Sequence, residues 1–394
     1  MQLSGPAIIA FFLLQAQDQI SMYFVAQMDS TVELAGIGLG NMMIILIPYS
    51  VMIGINTALE TLVARAAGRN NLRDCGLYLH RSILIISVVF IPVSLLLYFT
   101  RQILESIGIE EDVAAIAAAY VRRMLPGVLL NSYSDAIDLF LVPMGYSSTI
   151  CVLQTLVLPL HFLGCYVFVS IYEWGAVGAA CAQNITAVAM LILVCSFVSL
   201  QPSIDEAWYL PTMKTFANLY EFLRLAIPGM LMLLLENSNM QMLLLLAGLT
   251  NSEEMIAAQS LVVSIGDLLI IIPYGLALGI VTQVGQHLGH NDPGSAKQAY
   301  KIASAFSAML GLCTCLLLFV GRHFIISTYT DNDEIHDMAI RAFTSLCVAL
   351  IFSWTAGQLS GTIKAVGAQG IASVSSLFCI LCVELPLSYY FGVE

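Results

Sequence analysis

Continuous apolar runs of about 20 residues recur from one end of this sequence to the other, each long enough to cross a hydrocarbon core of roughly 30 Å. No water reaches that core, so a spanning segment must satisfy its own backbone hydrogen bonds, and a single helix does this alone. A transmembrane β-barrel would show short alternating segments instead; the runs here are unbroken. Composition agrees: 59% of the 394 residues are hydrophobic and 10% are charged, against roughly a quarter charged in an average soluble domain. The expected fold is all-α, a polytopic transmembrane helical bundle with the lipid bilayer as solvent. A net charge of -12 and the lack of a sizeable basic patch exclude nucleic acid as a partner.

The runs predict eleven spans, over 4–27, 33–62, 78–100, 112–143, 149–171, 175–200, 216–248, 255–286, 299–326, 336–365 and 369–391. The longest polar stretch between spans runs from Gln201 to Lys214 and holds Pro202, Asp205, Glu206 and Pro211, a linker composition. It divides an N-terminal transmembrane lobe (1–200) from a C-terminal one (215–394), with 201–214 between them. Basic residues in short loops mark the cytoplasmic side. Arg65, Arg69, Arg73, Arg81, Lys214, Arg224, Lys297, Lys301 and Lys364 all fall on one face if the spans alternate. The opposite loops are acidic, with Glu105, Glu110, Glu111, Asp112 and Asp331 among them; Arg101, Arg122, Arg123, Arg322 and Arg341 break the pattern. The first apolar run has no basic residue ahead of it and contains Asp18, so it is not a cleavable signal peptide. The 10 cysteines read as small buried hydrophobes. Cys313 and Cys315 stand two apart on a helix, face different ways and make a poor metal pair.

The halves repeat. ILIPYSVMIG at 45–54 answers IIIPYGLALG at 270–279, AAGRNN at 66–71 answers HLGHND at 287–292, and GPAII at 5–9 answers PGMLM at 228–232. About six spans separate the matched segments, so both halves enter the membrane the same way. Transporters use such parallel repeats to place a site between two halves. Pro48 and Pro273 occupy matching positions, where kinks permit bending.

Seven acids sit inside predicted spans: Asp18, Glu60, Asp135, Asp138, Glu236, Asp267 and Glu384. A carboxylate near the bilayer centre costs about 2.5–3.5 kcal/mol even on the lenient insertion scale, so it faces the protein interior or a wet cavity. No lysine or arginine lies deep in a span to neutralise these acids. An acidic interior attracts cations or holds protons and repels anions. Glu236 lies mid-helix beside Asn237, Asn239 and Gln241 and is the leading candidate for a group that binds a proton in one state and a cation in another. Asp135 and Asp138 are three apart on one helical face, close enough to share a proton; substrate contact and lobe packing both remain open for them. Asp18, among Gln15, Gln17 and Gln19, is a candidate proton or Na⁺ site. Glu60 is expected to bridge to Arg65 or a helix N-terminus. His161, alone on an apolar helix, reads as a satisfied core residue.

ALETLVARAAGRNNLRDCGLYLHRS at 58–82, PGMLMLLLEN at 228–237, AAQSLVVSIGDLLIIIPYGLALG from 257 and EWGAVGAACAQNI at 173–185 resemble the multidrug and toxic compound extrusion (MATE) transporters, most closely their eukaryotic branch. The resemblance implies two pseudo-symmetric six-helix lobes around a central cavity. By that likeness this chain stops near the end of the eleventh helix. Glu236 matches the seventh-helix glutamate of eukaryotic relatives; where many carry a second glutamate, this chain has Gln241. Relatives carry an acid at the position of Ser264, and Asp267, three residues on, is a displaced replacement. At the position of Asp138 relatives commonly have a base. Prokaryotic relatives place an essential aspartate at the position of Ser21, and eukaryotic ones often place an acid where Trp354 stands.

The expected activity is secondary active antiport by alternating access, exporting small organic cations and xenobiotics in exchange for H⁺ or Na⁺. No cofactor beyond that ion is expected, and the chain is expected to work as a monomer in a plasma or vacuolar/endosomal membrane. A lipid-linked flippase of the same superfamily would want a basic cavity for its anionic cargo. An inactive truncated transporter is the third reading. Neither an H-E-x-x-H motif nor a Ser/His/Asp constellation supports an enzyme.

Overall fold

The computed structural model describes residues 4–28, 30–248, 253–327, 333–384 and 386, with the side chains of 31, 239–248, 253–265, 267, 268, 333–339, 342, 345, 349 and 384 outside that description. The long helices are α1 (Ser4–Ala26), α2 (Thr31–Ile44, continued by Ile45–Tyr49 and Ser50–Gly68), α3 (Leu72–Tyr98), α4 (Glu111–Leu141), α5 (Ser147–Ile171) and α6 (Gly175–Ser199) in the first lobe. The second lobe holds α7 (Leu219–Gly248), α8 (Glu253–Gly289), α9 (Pro293–Ser327), α10 (Asp333–Val366) and α11 (Gln369–Cys379, continued by Ile380–Glu384). Among the described residues, 9 helical stretches are long and apolar enough to cross a membrane; the other two predicted spans fall on α7 and α11, which are not among the nine, α11 being a shorter apolar helix.

Capping decides where some of these helices begin. The third span was expected from 78, where its apolar run starts, yet α3 starts at Leu72 because Asn71 Oδ1 accepts from Asp74 N at 3.1 Å. The ninth was expected from 299, yet α9 starts at Pro293, where Asp292 Oδ1 accepts from Ser295 N at 3.0 Å and proline suits the first turn. These caps close the repeated segments AAGRNN and HLGHND. Asn70 and Asn291, one residue before each cap, share a left-handed backbone, with φ 55° and 58°. The repeat is therefore structural as well as textual. Its prolines differ: Pro48 sits in a π-helical segment, Ile45–Tyr49, whereas Pro273 lies inside an unbroken α-helix.

Two short helices, Thr100–Ser106 and Met213–Phe216, escape a reading based on apolar length. The linker is strapped to the first lobe: Tyr209 donates to Arg73 O at 3.0 Å, Trp208 Nε1 to Ser199 Oγ at 3.1 Å, and Arg81 Nη2 to Lys214 O at 3.4 Å. Arg101, an exception to the charge pattern, pairs on the acidic face with Glu105 and Glu111. Cys315 Sγ donates to Cys347 O at 3.0 Å while Cys313 is exposed, so the two thiols do face apart.

Candidate functional site

The lobes are sealed together at the basic end. Thr61 Oγ1 donates to Lys364 O at 2.8 Å, and Arg65 reaches Ala365 O through Nε at 3.1 Å and Nη2 at 2.8 Å. Gln369 Nε2 donates to Thr61 Oγ1 at 3.0 Å, and Gln286 Nε2 to Pro143 O at 2.6 Å. α2 crosses α7 and α8 closely enough that a Cβ on Gly54 or Gly68 would strike the backbone of Met230 or Gln286. Glu60 was expected to bridge to Arg65 or a helix N-terminus. Its partner is instead Lys364 across the interface, at 3.9 Å; Arg65 is occupied by the Ala365 carbonyl. Each interlobe hydrogen bond among the described residues lies at the depth of Ser50 or nearer the basic end. Toward the acidic end no such bond joins the lobes among those residues.

The C-lobe acid stands where this seal ends. Glu236 on α7 is half-buried, and its Oε1 accepts from Tyr274 on α8 at 2.6 Å. Next to it, Asn237 Nδ2 crosses to the other lobe and donates to Ser50 Oγ at 2.8 Å; Ser50 in turn donates to Ile45 O at 2.8 Å, a carbonyl in the π-helical segment. Tyr274 was quoted in the repeat but not as a site residue. The signal that could have found it is its place directly after Pro273, one turn or so from mid-membrane in the same lobe as Glu236. Of the polar cluster expected around Glu236, Asn237 faces the other lobe. The side chains of Asn239 and Gln241 lie outside the described residues, as do those of Asp267, Ser264 and Glu384.

In the N lobe, Asp18 on α1 is exposed, and it lies in electrostatic range of Tyr49 on α2 and Tyr120 on α4. Tyr49 is in electrostatic range of Asp135. Asn131, Asp135 and Asp138 descend one face of α4. Asp135 and Asp138 are half-buried, and Asp138 Oδ1 has no hydrogen-bond partner among the described residues. A concave region beside Asp18, lined by Phe12, Ala16, Gln19, Ile20 and Tyr23, is apolar. Behind α1, His161 is fully buried and satisfied: Nε2 meets Gln17 O at 3.0 Å and Ser21 Oγ at 3.1 Å, and Nδ1 meets Thr186 Oγ1 at 3.1 Å. Ser21, at the prokaryotic aspartate position, thus faces a histidine and not the cavity. Trp354 is 1% exposed and packs on Gly311. No ion pair among the described residues joins Asp18, Asp135, Asp138 or Glu236 to a base.

Two repeated helical lobes, sealed at one end and carrying acids at mid-depth, make this a two-lobed membrane transporter. The MatE family model matches it twice, over 6–167 and over 228–390, once in each lobe, and the chain belongs to that family. It is 25% identical over 392 residues to Protein DETOXIFICATION 36 of Arabidopsis thaliana, covering 99% of this chain and 78% of that protein. The crystal structure of the eukaryotic MATE transporter AtDTX14 superposes with a TM-score of 0.93 at 22% identity, covering 100% of this chain and 88% of that one. A MOP superfamily transporter from Pyrococcus furiosus, described as having a binding pocket of reverse polarity, superposes at 0.87 with 18% identity over 100% of this chain and 88% of its own. These structural likenesses establish the fold.

Proposed function

We propose that this protein is a secondary active antiporter that exports organic cations in exchange for protons, with Glu236 as the shared site. The observation that carries this reading is the Glu236–Tyr274 pair at the inner edge of the interlobe seal, with no base beside the carboxylate among the described residues. A carboxylate at that depth needs a counter-charge or a proton. A bound cation supplies the first and an inbound H⁺ the second, so the two compete for one group. Competition of this kind is antiport. The basic end is the cytoplasmic one by the charge rule, so the sealed state described above is outward-facing. Proton binding to Glu236 releases the cation outward. The lobes then rock about the α2–α7 and α2–α8 crossings, the latch of Arg65, Thr61, Glu60 and Lys364 opens, and the proton leaves inward.

One copy holds both the acid and the latch, so a monomer suffices. The acids favour cationic over anionic cargo, which speaks against a lipid-linked flippase. Export of xenobiotics across a plasma or vacuolar/endosomal membrane fits the name DETOXIFICATION borne by the Arabidopsis relative. In proteoliposomes, an imposed pH gradient should drive uptake of tetraethylammonium by the native protein, and Glu236→Gln should abolish it. Unchanged uptake refutes the assignment. A response to a Na⁺ gradient in place of the pH gradient would keep the site and change the coupling ion.

A further inference from the structure

The C lobe contains buried polar groups that transport through Glu236 leaves unused. Ser307 on α9 and Trp354 and Gln358 on α10 are 0%, 1% and 3% exposed. Yet Ser307 Oγ, Trp354 Nε1 and both amide atoms of Gln358 lack any hydrogen-bond partner among the described residues, as does Ser304 Oγ. These groups form one belt. Gly311 packs against the Trp354 ring, and α9 and α10 run antiparallel. Ser307, one turn from Gly311, therefore comes level with Gln358, one turn from Trp354, and Ser304 continues the same face of α9. Gly357 packs on Pro273 of α8, which sets Gln358 at the depth of Tyr274. Apolar clusters close the belt above and below: Ile326, Phe343 and Cys347 toward the acidic end, and Val281, Val284 and Ala365 toward the basic end.

The N lobe places acids in the same frame: Tyr49, the repeat mate of Tyr274, lies in electrostatic range of Asp135 on the fourth helix. Asn131 and Asp135 stand four apart on α4, as Trp354 and Gln358 do on α10. At this level the C lobe has four side chains with no partner among the described residues. A buried polar group without a partner is strongly disfavoured, and none of the described residues completes these bonds. The belt offers donors (indole N–H, amide NH₂) and acceptors together and carries no charge. That mixture suits water and not a bare ion.

We propose that this belt binds a cluster of internal waters, and that the cluster exchanges the proton of Glu236 through Tyr274. The second half rests on the exporter reading. In proton uptake, a hydronium of the cluster gives its proton to Tyr274 Oη while the tyrosine's own proton passes to Glu236 Oε1. An O–H bond breaks and forms at each step, leaving one water, a neutral tyrosine and a neutral carboxyl. Release runs the reverse.

X-ray radiolysis of the native protein in nanodiscs tests the water. Hydroxyl radicals form from bound water and oxidise what it touches, so Trp354 should be oxidised despite its burial, while Phe343 on the same helix, 0% exposed in an apolar cluster, should not. Ser307→Ala and Gln358→Leu should each lower Trp354 oxidation; the milder alanine variant serves if the leucine variant fails to fold. Oxidation of Trp354 no faster than of Phe343 overturns the proposal. For the relay, Gln358→Leu should slow pH-gradient-driven tetraethylammonium uptake roughly tenfold. The double variant with Tyr274→Phe should lose no more than the worse single one; fully additive losses, or unchanged uptake, overturn the relay. Labelling depends on neither cargo nor coupling ion, so a dry Trp354 sinks the cluster and leaves the exporter reading standing. Unaffected transport in Glu236→Gln sinks the exporter reading and leaves the labelling result intact.

Discussion

The two lobes solve the problem of polar groups inside a membrane in opposite ways. The N lobe has three mid-membrane acids and pairs part of its interior: Gln17 meets Gln154 at 3.4 Å, and His161 ties α1, α5 and α6 together, while His80 Nδ1, Arg81 Nε and Asn184 Oδ1 have no partner among the described residues. The C lobe has one described acid at the interface, with one tyrosine on it and one neighbour reaching across to the other lobe. Its interior polar belt has no partner among the described residues. A redundant acid cluster tolerates loss of a member, because neighbouring groups still set the field. A single acid on a single partner does not. On the exporter reading proposed above, coupling falls to the C lobe, although the N lobe holds more charge.

The largest effect separates the lobes directly. Glu236→Gln should reduce pH-gradient-driven tetraethylammonium uptake at least about 100-fold, the scale of losing a positioned proton-transfer group. Asp135→Asn should retain most of it, since Asp18 still addresses Tyr49 from α1. Equal losses at the two positions, measured side by side in proteoliposomes, would mean that both lobes carry the coupling and that their difference is only structural.

A smaller effect compares the paired tyrosines. Tyr274→Phe removes the only hydrogen bond to Glu236 seen among the described residues; a bond to a charged group is worth about 1.5–3 kcal/mol. The pH at which uptake is half-maximal should move accordingly. Tyr49→Phe touches no hydrogen bond to Glu236 among the described residues and should leave that midpoint near its native value. A midpoint that moves more for Tyr49→Phe would transfer proton binding to the N lobe.

The sequence made some of this visible and not the rest, for identifiable reasons. Span number and order were legible because a bilayer enforces long apolar runs. The starts of α3 and α9 were misplaced because their first turns are polar and held by caps, which hydropathy does not register. Glu236 was legible because an acid at mid-span is rare. Its partner Tyr274 was not, because tyrosine at that depth is unremarkable until the fold lays α8 against α7. Glu60 was assigned to its own helix because pairing with Lys364 requires the two lobes to close, a contact between residues far apart in the chain. The unpartnered belt was invisible: Ser307, Trp354 and Gln358 come together only through the Gly311 and Gly357 crossings.

The smallest effect probes the interiors themselves, through stability instead of transport. In the N lobe, His161→Phe keeps a ring in place and removes both nitrogens. Thr186 Oγ1 can still turn to Ala182 O, at 2.8 Å, and Gln17 O keeps its place in the helix. The net loss should therefore be near one ordinary hydrogen bond, about 1 kcal/mol, lowering the thermal midpoint of the purified protein by a few degrees. In the C lobe, Ser307→Ala deletes a hydroxyl that no protein group meets, so the change should stay within about 0.5 kcal/mol, as for a site free of strained or paired contacts. The asymmetry is the prediction: a histidine that the chain satisfies costs stability to remove, and a serine that water satisfies does not. A loss for Ser307→Ala matching that for His161→Phe would show that the belt is held by protein partners and that the two interiors are built alike.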